Sequence, residues 1–429
     1  MVARKLNKMI AEHPTLLRNK GSHSRPLLVI LDRNADLITP FQHTSTYQAL
    51  IDDVLTHKAN RVEFVVTQDA GGKRPKKVPK KFDLDPDEDG FYCAHKFQPF
   101  PEAIESNGVE LQEVTEREQE IRSKAVGGET IQQDPMANAA NDLATAVDSL
   151  PALLDQKKQL EMHTSILQAV MNEVATRDVP QFYELESSLA TGSYKNDQAK
   201  AKTDVLALVA DPAKGSVEDN IRLLMVYCLA TTAKTSDIDE VATALQSAVE
   251  GMEGVDRAAR DKVQMGIKAT QYIKQLKSMH MLPSMAEMSL SSPEESSAGA
   301  GLSSFMAKAT NQATGLLAKA TDRVSSMLGK IHKHHATLVV ENLCEMKPGT
   351  EDESFLYLDP KVKGEVDMHK LATMNRAPVR EVIAFTIGGG CYAEYQNLQM
   401  VATDRRTISY GSTELVNAGQ FLAQLGQLG

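Results

Sequence analysis

Few cysteines, no long apolar run and no excess of positive charge set the first limits on this chain of 429 residues. Its four cysteines, Cys93, Cys228, Cys344 and Cys391, stand far apart, with no Cys-x-x-Cys pair and no histidine at zinc-finger spacing. That pattern excludes a disulfide framework and a zinc finger, and it suits a reducing cytosol. No uncharged apolar stretch is long enough to span a bilayer, and residues 1–20 lack the apolar core of a signal peptide. The expectation is a soluble or peripheral protein. A net charge of -10 argues against a dedicated nucleic-acid binder. The nucleophile elbow GxSxG, the zinc motif HExxH, the P-loop GK[ST] and any reactive-cysteine signature are missing as well. No catalytic residue, metal ligand or cofactor site is therefore assigned.

What is present is an ordinary globular composition, 42% hydrophobic and 24% charged, with room for two or three domains. Leu27 to Leu31 form a continuous apolar run, the pattern of a strand buried on both faces, and it ends in a charged turn where parallel sheets hold ligands. Asp32, Arg33 and Asp36 are thus site candidates. The spacing Asp32-x-Asn34-x-Asp36 opens like a calcium loop, but Leu37 and His43 stand where Gly and a bidentate Glu are required. Asn34 also replaces the second carboxylate of a phosphotransferase pair. A tight turn before Pro40, bonded by short polar side chains, fits better.

Tyr47, Leu50, Ile51, Val54 and Leu55 then fall on one helical face, and Val62 to Thr67 read as a second strand in a parallel-sheet rhythm. Lys73, Arg74, Lys76, Lys77, Lys80 and Lys81 follow, with the acidic stretch Asp83 to Asp89 behind them, as at a solvated hairpin tip. From Ala139 to His280 the period is helical. Leu160, Ile166, Leu167, Val170 and Val174 make one stripe; Ile221, Leu224, Met225, Cys228 and Leu229 make another. His163 lies on the first stripe and reads as a core histidine bonded to a backbone carbonyl. Ser236-x-x-Asp239 resembles a capping box.

The α/β pattern returns with the strand Val382–Ile387, the turn Gly388-Gly389-Gly390, a helix from Cys391 to Met400, a strand at Ile408–Tyr410 and a last helix capped by Ser412 or Thr413. Gly388-x-Gly390-x-x-Ala393 is a relaxed dinucleotide fingerprint, yet no acidic strand end follows about twenty residues on. A turn that needs positive φ or close packing is preferred. The expected organisation is an N-terminal connector (1–24), an α/β domain in two segments (25–130 and 346–429) and an inserted helical domain (131–345).

Within that insertion a small, polar linker (283–301) precedes an eleven-residue repeat. Residues 302–312 (LSSFMAKATNQ), 313–323 (ATGLLAKATDR) and 324–334 (VSSMLGKIHKH) align without gaps. Leu302, Phe305, Met306, Leu316, Leu317, Val324, Met327, Leu328 and Ile331, with Ala309, Ala313 and Ala320, share one helical face, because about 3.67 residues per turn keeps the face straight. Lys308, Lys319 and Lys330 recur beside it. Such a helix can lie in a membrane interface, with Lys308 and Lys319 near lipid phosphates. Packing of the same face on the helical domain is the alternative, and both can hold in different states. His332, His334 and His335 read as a basic end.

The stretches RPLLVILDRNADLITPFQHTSTYQALIDDVL from Arg25, DLATAVDSLPALLDQKKQLEMHTSI from Asp142, IGGGCYAEYQNLQ from Ile387 and ISYGSTELVNAGQFLAQLGQLG from Ile408 resemble the SM (Sec/Munc-like) regulators of SNARE assembly, above all their Sly branch. The resemblance runs from about Arg25, with no counterpart of the family's first domain ahead of it. It implies a discontinuous parallel-sheet α/β domain with an inserted helical domain and no enzymatic activity. It also implies binding to syntaxin-type and vesicle SNAREs, and a place on ER and Golgi membranes as a peripheral cytoplasmic protein. Residues 302–334 resemble the amphipathic helix that, in the Sly branch, regulates access to the SNARE-templating surface and contacts vesicle membrane.

Overall fold

The computed structural model describes residues 2–13, 26–70, 73–126, 136–252, 255–282, 332–347, 349–358 and 379–429. In chain order the elements are α1 (Val2–Glu12), β1 (Leu27–Asp32), α2 (Tyr47–Val54), β2 (Thr56–Lys58), β3 (Arg61–Ala70), β4 (Lys73–Asp83), α3 (Gly90–His95), α4 (Phe100–Val126) and α5 (Met136–Arg177). They continue with α6 (Val179–Ala190), α7 (Gln198–Val209), α8 (Val217–Ala230), α9 (Thr235–Glu250), α10 (Arg257–Ser278), α11 (His335–Glu345), β5 (Glu381–Ile387), α12 (Tyr392–Gln399), β6 (Thr407–Ser412) and α13 (Ala418–Leu428). The described residues fall into two units, one drawn from 2–43, 181–282 and 332–429, the other from 44–180.

The first unit holds the parallel sheet, in the order β1-β5-β6. Leu27 pairs with Val382 and Asp32 with Ile387, while Glu381 pairs with Thr407 and Thr386 with Ser412. Two ends of the chain thus build one sheet, as the split α/β pattern implies. Val29, Leu31, Val382, Ala384 and Ile408 form a core with Val339 and Val340 of α11 and Leu398 of α12. One expectation fails at β1, where Leu28 is 48% exposed. Among the described residues β1 is the outer strand, so only alternate side chains meet the core.

A second core of this unit surrounds α8, which is buried from Asp219 to Ala230. That burial explains why its apolar run has no polar face. Leu224, Cys228 and their neighbours pack with Val205 of α7, Val241 and Leu245 of α9, Ile273 of α10 and Phe421 of α13. A reciprocal capping box, Ser216 with Asp219, starts α8. At its other end Lys277 Nζ donates to Cys228 O and Thr231 O, satisfying carbonyls that the helix leaves open. Ser236 makes no capping box: α9 begins at Thr235 after Lys234, with no side-chain cap. For α13 the cap is Asn417 paired with Gln420, rather than Ser412 or Thr413.

In the second unit β2, β3 and β4 form an antiparallel sheet. Val62 to Thr67 therefore do not extend the parallel sheet. Only Ala59, with φ +54°, and Asn60 separate β2 from β3, and so short a connection closes a hairpin, whereas parallel strands need a crossover of a dozen residues or more. The basic stretch expected at a hairpin tip is itself the long strand β4. The acidic neighbours enter as cross-strand pairs, Lys81 with Glu63 and Arg61 with Asp83.

α4 and α5 pack together, with Asn107 Nδ2 donating to Leu160 O at 3.0 Å. His163, fully buried on α5, is a core histidine, but its partners are side chains and not a backbone carbonyl. Its Nε2 lies 2.8 Å from Asp89 Oδ2 and its Nδ1 lies 2.8 Å from Tyr47 Oη. A neutral imidazole with Nε2–H donating to the carboxylate and Nδ1 accepting from the phenol satisfies both contacts. Asp89 also accepts from Tyr92 N, capping α3. Burial alone would raise the Asp89 pKa, but the His163 bond holds it below the usual carboxylate value. Tyr47→Phe leaves His163 Nδ1 without a donor in an apolar core and should lower stability by about 1–3 kcal/mol. Urea denaturation measures this, and an unchanged midpoint would mean that the Tyr47–His163–Asp89 chain contributes nothing.

Candidate functional site: the crevice at the sheet's carboxyl ends

Parallel α/β sheets hold ligands outside the carboxyl ends of their strands, so the ends of β1, β5 and β6 are the place to look. Asp32 caps a short 3-10 turn through Asn34 N at 2.9 Å. Asp36 accepts from Ile38 N and Thr39 N at 2.9 and 3.0 Å, and also bonds the Thr39 hydroxyl. These carboxylates build the turn, as the tight-turn reading requires, and Asp36 is buried.

Arg33 turns inward and fills the crevice. Its Nη2 donates to Glu394 Oε1 at 2.7 Å and its Nη1 to Glu394 Oε2 at 3.0 Å, a bidentate pair with both side chains buried. Arg33 Nη1 also reaches Gly389 O at 3.2 Å, and Nε reaches Asp36 O at 2.7 Å. Tyr410 donates its hydroxyl to Glu394. Burial works against the charged guanidinium, but Glu394 and Asp36 more than compensate and raise its pKa above an already high value. Asp36, opposed in the same way by burial, is held below the usual carboxylate range by Arg33 and Thr39. Burial pushes the Cys391 thiol far up, with Glu394 adding to the effect, so it is no nucleophile at neutral pH.

The glycine turn is occupied by the protein itself. Gly388 and Gly389 take φ of +103° and +93°, which L side chains rarely adopt, and a Cβ at Gly388 would lie 2.8 Å from Arg33 Cβ. Gly388 N and Gly389 N both donate to Thr413 Oγ1 at 3.1 Å, and Gly390 N donates to Glu414 O at 2.8 Å. A phosphate cradle needs those amides free. The residues of the dinucleotide-like turn are all brought together here, and their hydrogen bonds belong to the fold.

The histidines expected as a basic end are not one. His332 is buried and His334 half-buried, with pKa values pushed down to about 3 and about 4, by desolvation first and, for His332, by the charge of His334. Asn397 holds this entry to α11, donating to His332 O and accepting from His334 N at 2.9 and 2.7 Å. His335 pairs with Glu351 at 2.7 Å, a carboxylate 16 positions away that spacing could not reveal. The membrane-binding residues predicted from the repeat, from Leu302 to Ile331, lie outside the described residues.

One buried site escaped the sequence reading. His43 stands between Glu186 of α6 and Asp219 of α8, with Nδ1 3.0 Å from Glu186 Oε1 and Nε2 3.0 Å from Asp219 Oδ1. All three side chains are sealed from solvent. Burial and the nearby Arg222 charge oppose protonation, yet the two carboxylates outweigh them and hold the imidazole pKa up at about 9. His43 was read only as a failed calcium-loop position, and its partners are too distant in sequence to signal it.

With the geometry in place, comparison with known proteins decides the family. A model described as the Sec1 family matches residues 1–424. The chain belongs to the Sec1 family. The match takes in residues 1–24, so the likeness begins earlier than Arg25. The mouse Sec1 family domain-containing protein 1 is 33% identical over 452 aligned residues, covering 100% of this chain and 66% of that protein. The Drosophila melanogaster Protein sly1 homolog is 32% identical over 456 residues, with 100% and 66% covered. This Sec1-family chain thus spans 66% of the length of these relatives. Among solved structures, Sly1p in complex with an N-terminal peptide of Sed5p matches with a TM-score of 0.66 and 21% identity, over 100% of this chain and 62% of that one. The SM protein Vps45 in complex with the Qa SNARE Tlg2 matches with 0.58 and 17%, over 99% and 63%. At such identities the structures speak for the fold, an α/β sheet with a large helical part.

Two outcomes follow from the crevice and the clamp. Glu394→Gln leaves Arg33 buried without its counter-charge and should cost about 3–5 kcal/mol of stability; a thermal or urea midpoint close to wild type would contradict the assignment. For His43 the pKa rises from 6.5 to about 9 on folding. Its stabilisation is complete below about pH 6.5 and is lost as pH rises through about 9. His43→Asn should therefore destabilise strongly near pH 6 and far less near pH 10, as read from urea unfolding at the two pH values.

Proposed function

We propose that this Sec1-family chain is a non-catalytic regulator of SNARE-complex assembly in vesicle docking and fusion, acting in ER-to-Golgi and intra-Golgi transport. In this reading it binds a syntaxin-type SNARE and a vesicle SNARE on helical surfaces, works from the cytoplasm, and contacts vesicle or Golgi membrane peripherally. The observation that carries the proposal is the likeness over the whole chain to Sly-named relatives. Two matching structures support it: Sly1p is in complex with a peptide of Sed5p, and Vps45 with a Qa SNARE. The filled crevice supports it from the other side, because the amides that would cradle a nucleotide are bonded to Thr413 and Glu414. Helical grooves that receive partner helices are then the natural working surfaces.

Residues 302–334 supply the second half of the reading. The apolar face led by Leu302, Phe305, Met306, Leu316, Leu317, Val324, Met327, Leu328 and Ile331, with Lys308 and Lys319 beside it, lies on lipid in one state and covers the SNARE-binding surface in another. No helix among the described residues is long and apolar enough to cross a membrane.

Calorimetry with cytosolic domains of ER-to-Golgi SNAREs, with and without residues 302–334, tests the proposal. Binding that strengthens when the segment is removed is the expected result; no binding in either form would contradict a SNARE role for this chain. Phe305→Asp with Leu316→Asp should abolish binding to small liposomes while leaving the fold unchanged, and undiminished binding would remove the interfacial helix from the account.

A further inference from the structure

We infer that the distal half of the β3–β4 ribbon is an electrostatic contact surface for anionic lipid headgroups, separate from residues 302–334. In a chain of net charge -10, residues 61–83 carry seven basic residues and three carboxylates. The register of the ladder sorts them. Near the base, Arg61 faces Asp83 and Lys81 faces Glu63, each as a cross-strand ion pair, and Lys80 Nζ donates to Ser165 Oγ of α5. Farther out, Lys77 faces Thr67, Lys76 faces Gln68 and Lys73 faces Ala70. The charges at the base are neutralised by their opposite neighbours; at the distal end Lys76 and Lys77 are set against uncharged ones, and Asp69, at the register shift beside Ala70, is a single carboxylate among Lys73, Arg74, Lys76 and Lys77.

Lys76 and Lys77 are exposed and, being consecutive in a strand, project from opposite faces of the ribbon. Both faces of the distal end are therefore cationic. β2 pairs only with Arg61 to Glu63, so beyond that point the structure is a two-stranded ribbon. Its chemistry narrows the partner. Pro75 and Pro79 lie four apart in β4 and share one edge, and the ladder accommodates proline only where its nitrogen faces outward, so an added strand loses two donors along that edge and finds only the Lys77 N–H between them. A peptide joining by β-addition is thereby disfavoured. Aromatic rings are found only at the base, where Phe64 and Phe82 contact each other, so the distal end offers no stacking platform for nucleic-acid bases. Five of the six basic residues of β4 are lysine, a point charge suited to a diffuse anionic surface more than to bidentate recognition. A lipid surface meets all of these conditions.

The test uses the full chain in flotation with large extruded vesicles of phosphatidylcholine, alone or mixed with phosphatidylserine, at low and high salt. Lys76→Glu with Lys77→Glu is compared with Lys195→Glu and Lys200→Glu, exposed lysines elsewhere on the surface. At about a fivefold change in partitioning for each charge near an anionic surface, the ribbon variant should lose roughly a hundredfold or more of its binding to phosphatidylserine vesicles. The control pair should not, and high salt should abolish the difference. The inference is overturned if both variants behave alike, if neutral vesicles bind as well, or if polyglutamate or RNA binds the ribbon while anionic vesicles do not. The variant Phe305→Asp with Leu316→Asp separates the two membrane readings. Keeping the phosphatidylserine dependence in that variant supports the ribbon; losing it there, while the ribbon variant keeps it, contradicts the inference without touching the helix.

Discussion

The buried pair between Arg33 and Glu394 is the interaction on which the first unit depends. Arg33 follows β1, near the start of the chain, and Glu394 lies on α12 after β5, near its end. A bidentate bond at 2.7 and 3.0 Å closes the sheet across that separation, and Arg33 adds Gly389 O and Asp36 O to the same knot. Desolvating two charges is expensive, and the remaining hydrogen bonds from Tyr410 and to the backbone make it sustainable. A residue pair that looks like active-site machinery is here a structural clasp.

That clasp has a functional consequence. In α/β proteins that bind nucleotides, the turn after a strand leaves its amides open toward a ligand, and the crevice beside it is wet. In this Sec1-family chain the equivalent turn donates inward to Thr413 and Glu414, and the crevice is filled by a guanidinium. At this turn the sheet's hydrogen bonds are spent on the fold itself. His43, held by Glu186 and Asp219, extends the same logic by fixing the loop after Arg33 to α6 and α8 within the first unit.

Much of this was legible in the sequence, for reasons that can be named. The split sheet could be read because Leu27–Leu31 and Val382–Ile387 are apolar runs ended by turn residues. The buried stripes of α5 and α8 could be read because helical spacing persists over several turns. Positive φ at Gly388 and Gly389 was anticipated because glycine adopts it without steric cost. Contacts between distant residues were not legible. His163 was placed in the core correctly, but its partners Asp89 and Tyr47 lie far off in sequence; of the expected basic end, His332 and His334 are held at the backbone by Asn397, and His335 pairs with Glu351. Val62–Thr67 had the composition of a strand but not the information that two near neighbours, β2 and β4, would capture it in antiparallel pairing. Ser236 had the spacing of a cap, yet the helix started one residue before it.

Amide hydrogen exchange on the intact chain, alone and with a syntaxin-type SNARE cytosolic domain, tests the central claim most directly. The account predicts that Gly388 to Gly390 exchange slowly in the free chain, because their amides are bonded within the protein, and stay unchanged on adding either SNARE or nucleotide. New protection should appear on helical surfaces when the SNARE is added. Fast exchange at the glycine turn that slows only with nucleotide, together with no protection by the SNARE, would contradict the account.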